Sequence, residues 1–463
     1  MLRRLLGLFL GLAIAASGLL LPVPEGLTVE GFRAILLLVG AIVLWVLQPI
    51  DLPVTALLGM AGLPLLGIVP AASAFQLFAN QAVFFVMGVF LLAAVLMHTG
   101  LATRLALSLL SRFDRSPTQL SGAVLLMSAG FCAVMVSHVV AAILFPILLE
   151  ICRALGLQHG RSAYARRLLL SMAWGTIVGS NLTFLSSVRV GLALGLLNEH
   201  NYKLHTGESI SFLYWMLGAS VVVLAMLAAT DLVLRLFHKP EPIDMAPAVA
   251  LLKRKVAEMG PMKRDEKVAL LSVLAMVLGM IFIGKQVGFG TVAVSAACLN
   301  FLTGSLSFEK AEKYVSWGIV LLFGGAVAMA TALEHTGAVE WVAEHVLPAG
   351  QVHPVVLIAV VAYVCVIMTE FASNSAVIAA LLPVCMVMAD GIGLPARAIV
   401  FATVIPAGLA FMLPTGTPAM AMIFSSGYLR TRDSAIPGGV LIHLGWLAVI
   451  LAATFWWPII GLR

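Results

Sequence analysis

Charge is what this sequence has least of. Asp, Glu, Lys and Arg make up 10% of its 463 residues, against 62% hydrophobic residues and a mean hydropathy of +1.09. A soluble domain carries about a quarter charged residues, so most of this surface must be solvated by lipid. Cysteine is also scarce. The five present (Cys132, Cys152, Cys298, Cys365 and Cys385) lie in or beside apolar segments without CxxC or CxxH spacing, which supports neither a disulfide framework nor a metal centre. No HExxH and no nucleophile–base pairing stands out, so an intramembrane enzyme has no chemistry to run on and no cofactor is implied. A net charge of +6 raises the question of nucleic acid. The basic residues instead sit in loops between apolar segments, where they orient a membrane protein. Glycine and proline are plentiful, at 41 and 21, and such breakers persist in a bilayer only where protein or a cavity satisfies the freed backbone.

Apolar runs lie near 5–21, 32–50, 53–70, 82–97, 118–152, 166–197, 212–237, 268–285, 287–304, 315–333, 354–390, 396–427 and 437–460. The stretch after Met1-Leu2-Arg3-Arg4 resembles a signal peptide, but its length favours an uncleaved first helix. At about 1.5 Å per residue, 118–152 and 354–390 are too long for one crossing and carry polar midpoints. Both are expected to be re-entrant helical hairpins, which leaves eleven crossings. With the N-terminus in the cytoplasm, 21 Lys and Arg fall inside and 5 outside, with Arg189 left within a span. That asymmetry supports the orientation, and it would collapse if either hairpin crossed fully. The expected fold is therefore an all-α polytopic protein of the inner membrane, in two inverted repeats. N-terminal scaffold helices fill 1–78 and the first repeat fills 79–237. A charged cytoplasmic linker follows at 238–267. The second half has scaffold helices at 268–314 and its repeat, with the last helix, at 315–463.

The repeat shows as a constant offset of 237. His98-Thr99-Gly100 matches His335-Thr336-Gly337, Gly88 matches Gly325, and Ala142 and Pro146 match Ala379 and Pro383. Gly156-Leu157 matches Gly393-Leu394, and Gly179-Ser180 matches Gly416-Thr417. Five crossings between equivalent points make the halves inverted. Inverted repeats hold substrate and coupling ions near the midplane, at discontinuous helices in equivalent places. Two hairpin tips and two helix breaks are thus the candidate site.

In the second half the tip reads Thr369-Glu370-Phe371-Ala372-Ser373-Asn374-Ser375, and the break reads Leu413-Pro414-Thr415-Gly416-Thr417-Pro418-Ala419-Met420. A helix broken in the membrane presents N–H groups at one new end and carbonyls at the other. The N–H groups, with Ser and Thr hydroxyls, suit a carboxylate or sulfate. Carbonyls and an Asn oxygen suit a hard cation. Ser373, Asn374, Ser375, Thr415, Thr417 and Pro418 are the substrate candidates here, and Ser373, Asn374, Gly416 and Ala419 the sodium candidates. These motifs resemble those of the divalent anion/sodium symporter family of di- and tricarboxylate and sulfate transporters. Gln48-Pro49-Ile50-Asp51-Leu52-Pro53 and Gly207-Glu208-Ser209-Ile210-Ser211-Phe212 are similar to it as well. The resemblance implies Na⁺ as coupling ion, a small dianion as substrate, a homodimer, and a transport domain that moves its hairpins against a scaffold.

The first half departs from that pattern. Val136-Ser137-His138 stands opposite Ser373-Asn374-Ser375, so an ionisable His138 replaces a hydroxyl. The first break, Gly179-Ser180-Asn181-Leu182-Thr183-Phe184-Leu185-Ser186-Ser187-Val188-Arg189, brings in an arginine whose fork suits a carboxylate, sulfate or sulfonate. An arginine inside a membrane marks a pathway or a substrate partner by default. Ser137, His138, Ser180, Asn181 and Arg189 complete the substrate candidates. His138 could carry a proton, act as a fixed charge in place of one Na⁺, or hydrogen-bond the loop as a neutral ring. Sodium-coupled dianion transport is the leading expectation. The alternatives are a proton-coupled carrier, an anion exchanger, or an ion antiporter of the arsenite-carrier type, to which Gly179-Ser180-Asn181-Leu182-Thr183 is similar.

Overall fold

The computed structural model describes residues 2–113, 116–204, 209–239, 241–338, 341–342, 345 and 352–462. Its longer helices are α1 (Leu2–Ser17), α2 (Val29–Leu47), α3 (Leu52–Leu65), α4 (Gln81–Thr99), α5 (Leu101–Leu110), α6 (Pro117–Cys132), α7 (Ser137–Ala154), α8 (Ala163–Gly179), α9 (Val188–Leu204) and α10 (Phe212–Phe237). They continue as α11 (Ala246–Glu258), α12 (Arg264–Phe282), α13 (Phe289–Leu302), α14 (Trp317–His335), α15 (Pro354–Phe371), α16 (Asn374–Gly391), α17 (Ala396–Val404), α18 (Pro418–Ser425) and α19 (Thr431–Leu451). No strand occurs among the described residues. Eight described helices, some joined to a short neighbour, are long and apolar enough to cross a membrane. Large apolar side chains such as Phe9, Leu65, Leu224, Phe282 and Leu302 are exposed, as expected where lipid replaces water. Gly207 and Glu208 of the motif before α10 lie outside the described residues.

Helix ends follow local chemistry. Thr28 caps α2 by accepting the Gly31 N–H at 3.0 Å, and Gln48 ends it in the left-handed region at φ 47°. Ser116 caps α6 and His353 caps α15, each followed by a proline in the first turn, where a missing N–H costs nothing. Each of the two long runs is a pair of helices, α6–α7 and α15–α16, interrupted at 133–136 and 372–373, and α7, α15 and α16 are each long and apolar enough to cross a membrane by themselves. Pro146 lies inside α7 and Pro383 inside α16. The run 166–197 is a broken helix, α8 then α9, and the run 396–427 breaks between α17 and α18.

The helix boundaries carry the repeat further than residue identities do. Pro117 and Pro354 open α6 and α15, and α7 and α16 cover 137–154 and 374–391, each pair at the offset of 237. So do α3 at 52–65 and α13 at 289–302, a pair with almost no residues in common. These two short helices make equivalent contacts. A Cβ on Gly88 of α4 would lie 2.6 Å from the carbonyl carbon of Ala293 in α13. A Cβ on Gly325 of α14 would lie 2.6 Å from the carbonyl oxygen of Ala56 in α3. Ala56 and Ala293 are again 237 apart, so each half grips the other through the same glycine-to-backbone contact.

The offset does not survive the breaks. Ser180 ends α8, whereas Thr417 precedes α18 and caps it by accepting the Met420 N–H at 3.3 Å. These two residues, matched by sequence, hold different places, because the second break is longer than the first. The linker also has more structure than a plain connector. Its helix α11 joins the first half through Lys255 and Glu150 at 2.7 Å, while Arg104 pairs with Glu266 at 2.8 Å.

Candidate functional site

Helix α8 is buried from Leu168 to Gly179, its Ser171 and Thr176 hydroxyls donating to the helix's own carbonyls, and its end opens on the first break. There Thr183 starts a short 3-10 turn at 184–186, and its hydroxyl donates to the Ala133 carbonyl of the first tip at 2.8 Å. The second half repeats this bond. Thr415 donates to the carbonyl of Glu370 at 3.5 Å, and Glu370 is the counterpart of Ala133 at the offset of 237. In each half a threonine of the break is therefore tied to the end of the first hairpin arm.

The second break has a brace that the first lacks. Glu370 is 2% exposed, and its carboxylate accepts the N–H groups of Phe411 at 2.7 Å, Met412 at 3.0 Å and Leu413 at 3.0 Å. Three backbone donors on one carboxylate fix the loop with charge-assisted bonds. The Trp174 indole donates to the Phe411 carbonyl at 3.2 Å, and the Ser434 hydroxyl donates to the Met412 carbonyl at 2.6 Å. The loop that carries Thr415, Gly416 and Thr417 is thus held from three helices.

Both tips and both breaks face one cavity of about 710 Å³, within the range of small-molecule sites. Ser137, His138, Ser180, Arg189, Ser373, Asn374, Ser375, Thr415, Gly416, Thr417, Pro418 and Ala419 all line it. Asn181 does not. It is buried beneath the cavity wall, with its side-chain oxygen accepting from Arg189 at 2.8 Å. Leu52, Pro53, Gly318, Ile319 and Leu322, from α3 and α14, line the same cavity.

The starts of α7 and α16 have no side-chain cap, so their first turns offer backbone N–H groups where Ser137, His138, Asn374 and Ser375 stand. The His138 ring is half-buried, its centroid 5.8 Å from that of Phe90. Arg189 is 4% exposed and reaches across the break to Ser180, Ser187 and the carbonyl of Val404. The side-chain oxygen of Asn374 is buried with no hydrogen-bond partner among the described residues. A buried orphan acceptor calls for a donor or a cation, and the hydroxyls and carbonyls around it are the ligand type a hard cation takes.

Several residues escaped the sequence. Arg189 is not alone as a buried arginine, since Arg167 in the first turns of α8 is buried 3.9 Å from Asp231. Arg-Arg at a helix start reads as loop charge until the fold covers it. His200 near the end of α9 lies 2.8 Å from Asp390 of α16 and 3.9 Å from Glu334 of α14. Those three residues are far apart in sequence, and no motif joins them.

The family model described as the sodium:sulfate symporter transmembrane region matches residues 2–463. A sodium-dependent dicarboxylate transporter of Staphylococcus aureus (strain bovine RF122 / ET3-1) is 27% identical, over 99% of this chain and 92% of its own length. Its counterpart in Staphylococcus saprophyticus is 25% identical, over 98% and 92%. Among solved structures, the YdaH transporter of Alcanivorax borkumensis, described as having an unusual topology, aligns with a TM-score of 0.52. At 12% identity over 99% of this chain and 98% of that one, it shares the fold.

Proposed function

This chain belongs to the sodium:sulfate symporter family, a multi-pass membrane transporter, and from that premise we propose that it carries a small dicarboxylate across the cytoplasmic membrane, coupled to Na⁺. The observation that carries the proposal is the single cavity lined by both tips and both breaks. A dianion there meets N–H ends and hydroxyls from both halves, and the positive charge of Arg189. Na⁺ fits beside it in the second half, where Asn374 offers a buried oxygen that no described residue satisfies. The relatives named for sodium-dependent dicarboxylate transport support both the ion and the substrate class. The excess of Lys and Arg in alternate loops supports a cytoplasmic N-terminus, with α6–α7 entering from inside and α15–α16 from outside. A homodimer belongs to the same proposal.

Reconstituted protein is expected to take up labelled succinate when an inward Na⁺ gradient is imposed, with labelled sulfate and citrate tested in parallel and a pH step as control. Absence of uptake of all three anions under every gradient would rule the function out. Uptake driven by the pH step alone would transfer the coupling to protons and point to His138. Asn374→Ala removes one oxygen from the cation. A bond to a charged group is worth about 1.5–3 kcal/mol, so half-saturating Na⁺ is expected to rise about ten-fold or more. An unchanged Na⁺ requirement would remove Asn374 from the ion site.

A further inference from the structure

We propose that Arg189 is a built-in cation: its guanidinium fills the oxygen-lined break of the first half, so that Na⁺ is needed only in the second. The inference rests on the transport function above and sharpens its coupling.

A guanidinium has five N–H donors. Nε donates to the Val404 carbonyl at 3.1 Å, and Nη1 to the Ser187 hydroxyl at 2.6 Å. Nη2 lies 2.8 Å from the Asn181 side-chain oxygen, 3.2 Å from the Ser180 hydroxyl and 3.5 Å from the Ser180 carbonyl. At most one N–H is left for a ligand, so the two-pronged clamp that an arginine would put on a carboxylate is already used up. Every acceptor around it is a neutral oxygen, from carbonyls, hydroxyls and a carboxamide. Hard cations are held by such sets, and broken helices supply them in inverted repeats. No carboxylate pairs with Arg189 among the described residues, so its charge remains available to a dianion in the cavity it lines.

Two further observations agree. A Cβ on Gly408 would overlap the Arg189 guanidinium, so the second half leaves a place shaped for this group. The two half-sites also differ in the way the proposal requires. At the first break the carboxamide oxygen of Asn181 is taken by Arg189, while at the second tip, where the first half has Ser137 in place of an Asn, that of Asn374 is buried and without a partner among the described residues. One half is closed by a side chain and the other stays open for an ion.

The test uses purified full-length protein in detergent without substrate, and reads melting temperature against Na⁺ with choline as the balancing cation. Arg189→Ser is expected to melt several degrees lower in choline, to recover in Na⁺ or in millimolar methylguanidinium, and to bind about one more Na⁺ than wild type by the slope of the linkage. Arg189→Lys, which keeps a cation, is expected to retain the wild-type Na⁺ slope, and it serves if the serine variant does not fold. Gly408→Ala is expected to destabilise wild type but to have little effect on Arg189→Ser, because the group it collides with is gone. Equal Na⁺ slopes for wild type and Arg189→Ser, with no response to methylguanidinium, would overturn the proposal. So would a Lys variant with the slope expected of Ser. Failure of wild type to transport any dianion would instead strike at the function, since the melting measurements involve no transport.

Discussion

Glu370→Ala is expected to abolish transport and to lower stability by about 3–5 kcal/mol, the range for removing one partner from a buried charged network. Among the described residues this carboxylate is the acceptor for the N–H groups of Phe411, Met412 and Leu413, and all three bonds are 3.0 Å or shorter. Removing it strands three donors, the Phe411 N–H fully buried and those of Met412 and Leu413 partly buried. The loop they hold bears Thr415, Gly416 and Thr417 on the cavity wall, so the loss reaches the site directly. Glu370→Gln keeps one oxygen but puts an amide NH₂ against a backbone N–H, and it should fall between wild type and alanine. Melting temperature and Na⁺-driven uptake check both variants. Wild-type uptake by Glu370→Ala would show that the second break holds its shape without the brace.

Glu370 also shows where sequence reasoning stops. Its place before the tip was evident from the Thr369-Glu370-Phe371 lead-in, yet nothing in that order tells which backbone a carboxylate will bind 41 to 43 residues later. The tips and the second break were legible because proline, Ser, Thr and Asn at a helix interruption have local causes. The repeat was legible where identities survived, around His98 and His335 or Pro146 and Pro383. It was invisible in α3 and α13, whose shared property is a length and a contact. Extending the offset into the breaks failed for a related reason. Loops absorb insertions that packed helices cannot, so Ser180 and Thr417 drifted to opposite ends of their helices. Asn181 was expected at the substrate and is found holding Arg189, a choice made by tertiary hydrogen bonding that residue type alone does not reveal.

Gly88→Val and Gly325→Val are each expected to prevent accumulation of folded protein, and Gly88→Ala and Gly325→Ala to destabilise it by about 1–3 kcal/mol or more, the cost of overpacking. The two nearest atoms each new Cβ meets are backbone, the Ala293 carbonyl carbon and Val294 nitrogen for Gly88 and the Ala56 carbonyl for Gly325, with the Cβ of Ala293 or Ala56 next. Backbone can yield only by moving a whole helix, which would part α4 from α13 or α14 from α3. Trimming the neighbour should therefore not help, and Ala56→Gly is expected to leave Gly325→Ala unrescued. Gly59 provides the contrast. A Cβ there overlaps the end of the Met329 side chain, which is unbranched and can swing aside, so Gly59→Ala should be tolerated. Gly122 in α6 has nothing within 4 Å of such a Cβ, and Gly122→Ala should be neutral or stabilising through helix propensity. Expression yield and melting temperature of the set decide the matter. If Gly88 and Gly325 tolerate alanine as Gly122 does, the two halves are not locked through these glycines. If they fail together while Gly59 and Gly122 survive, the same contact sits at both equivalent places, and the cavity between the halves depends on both.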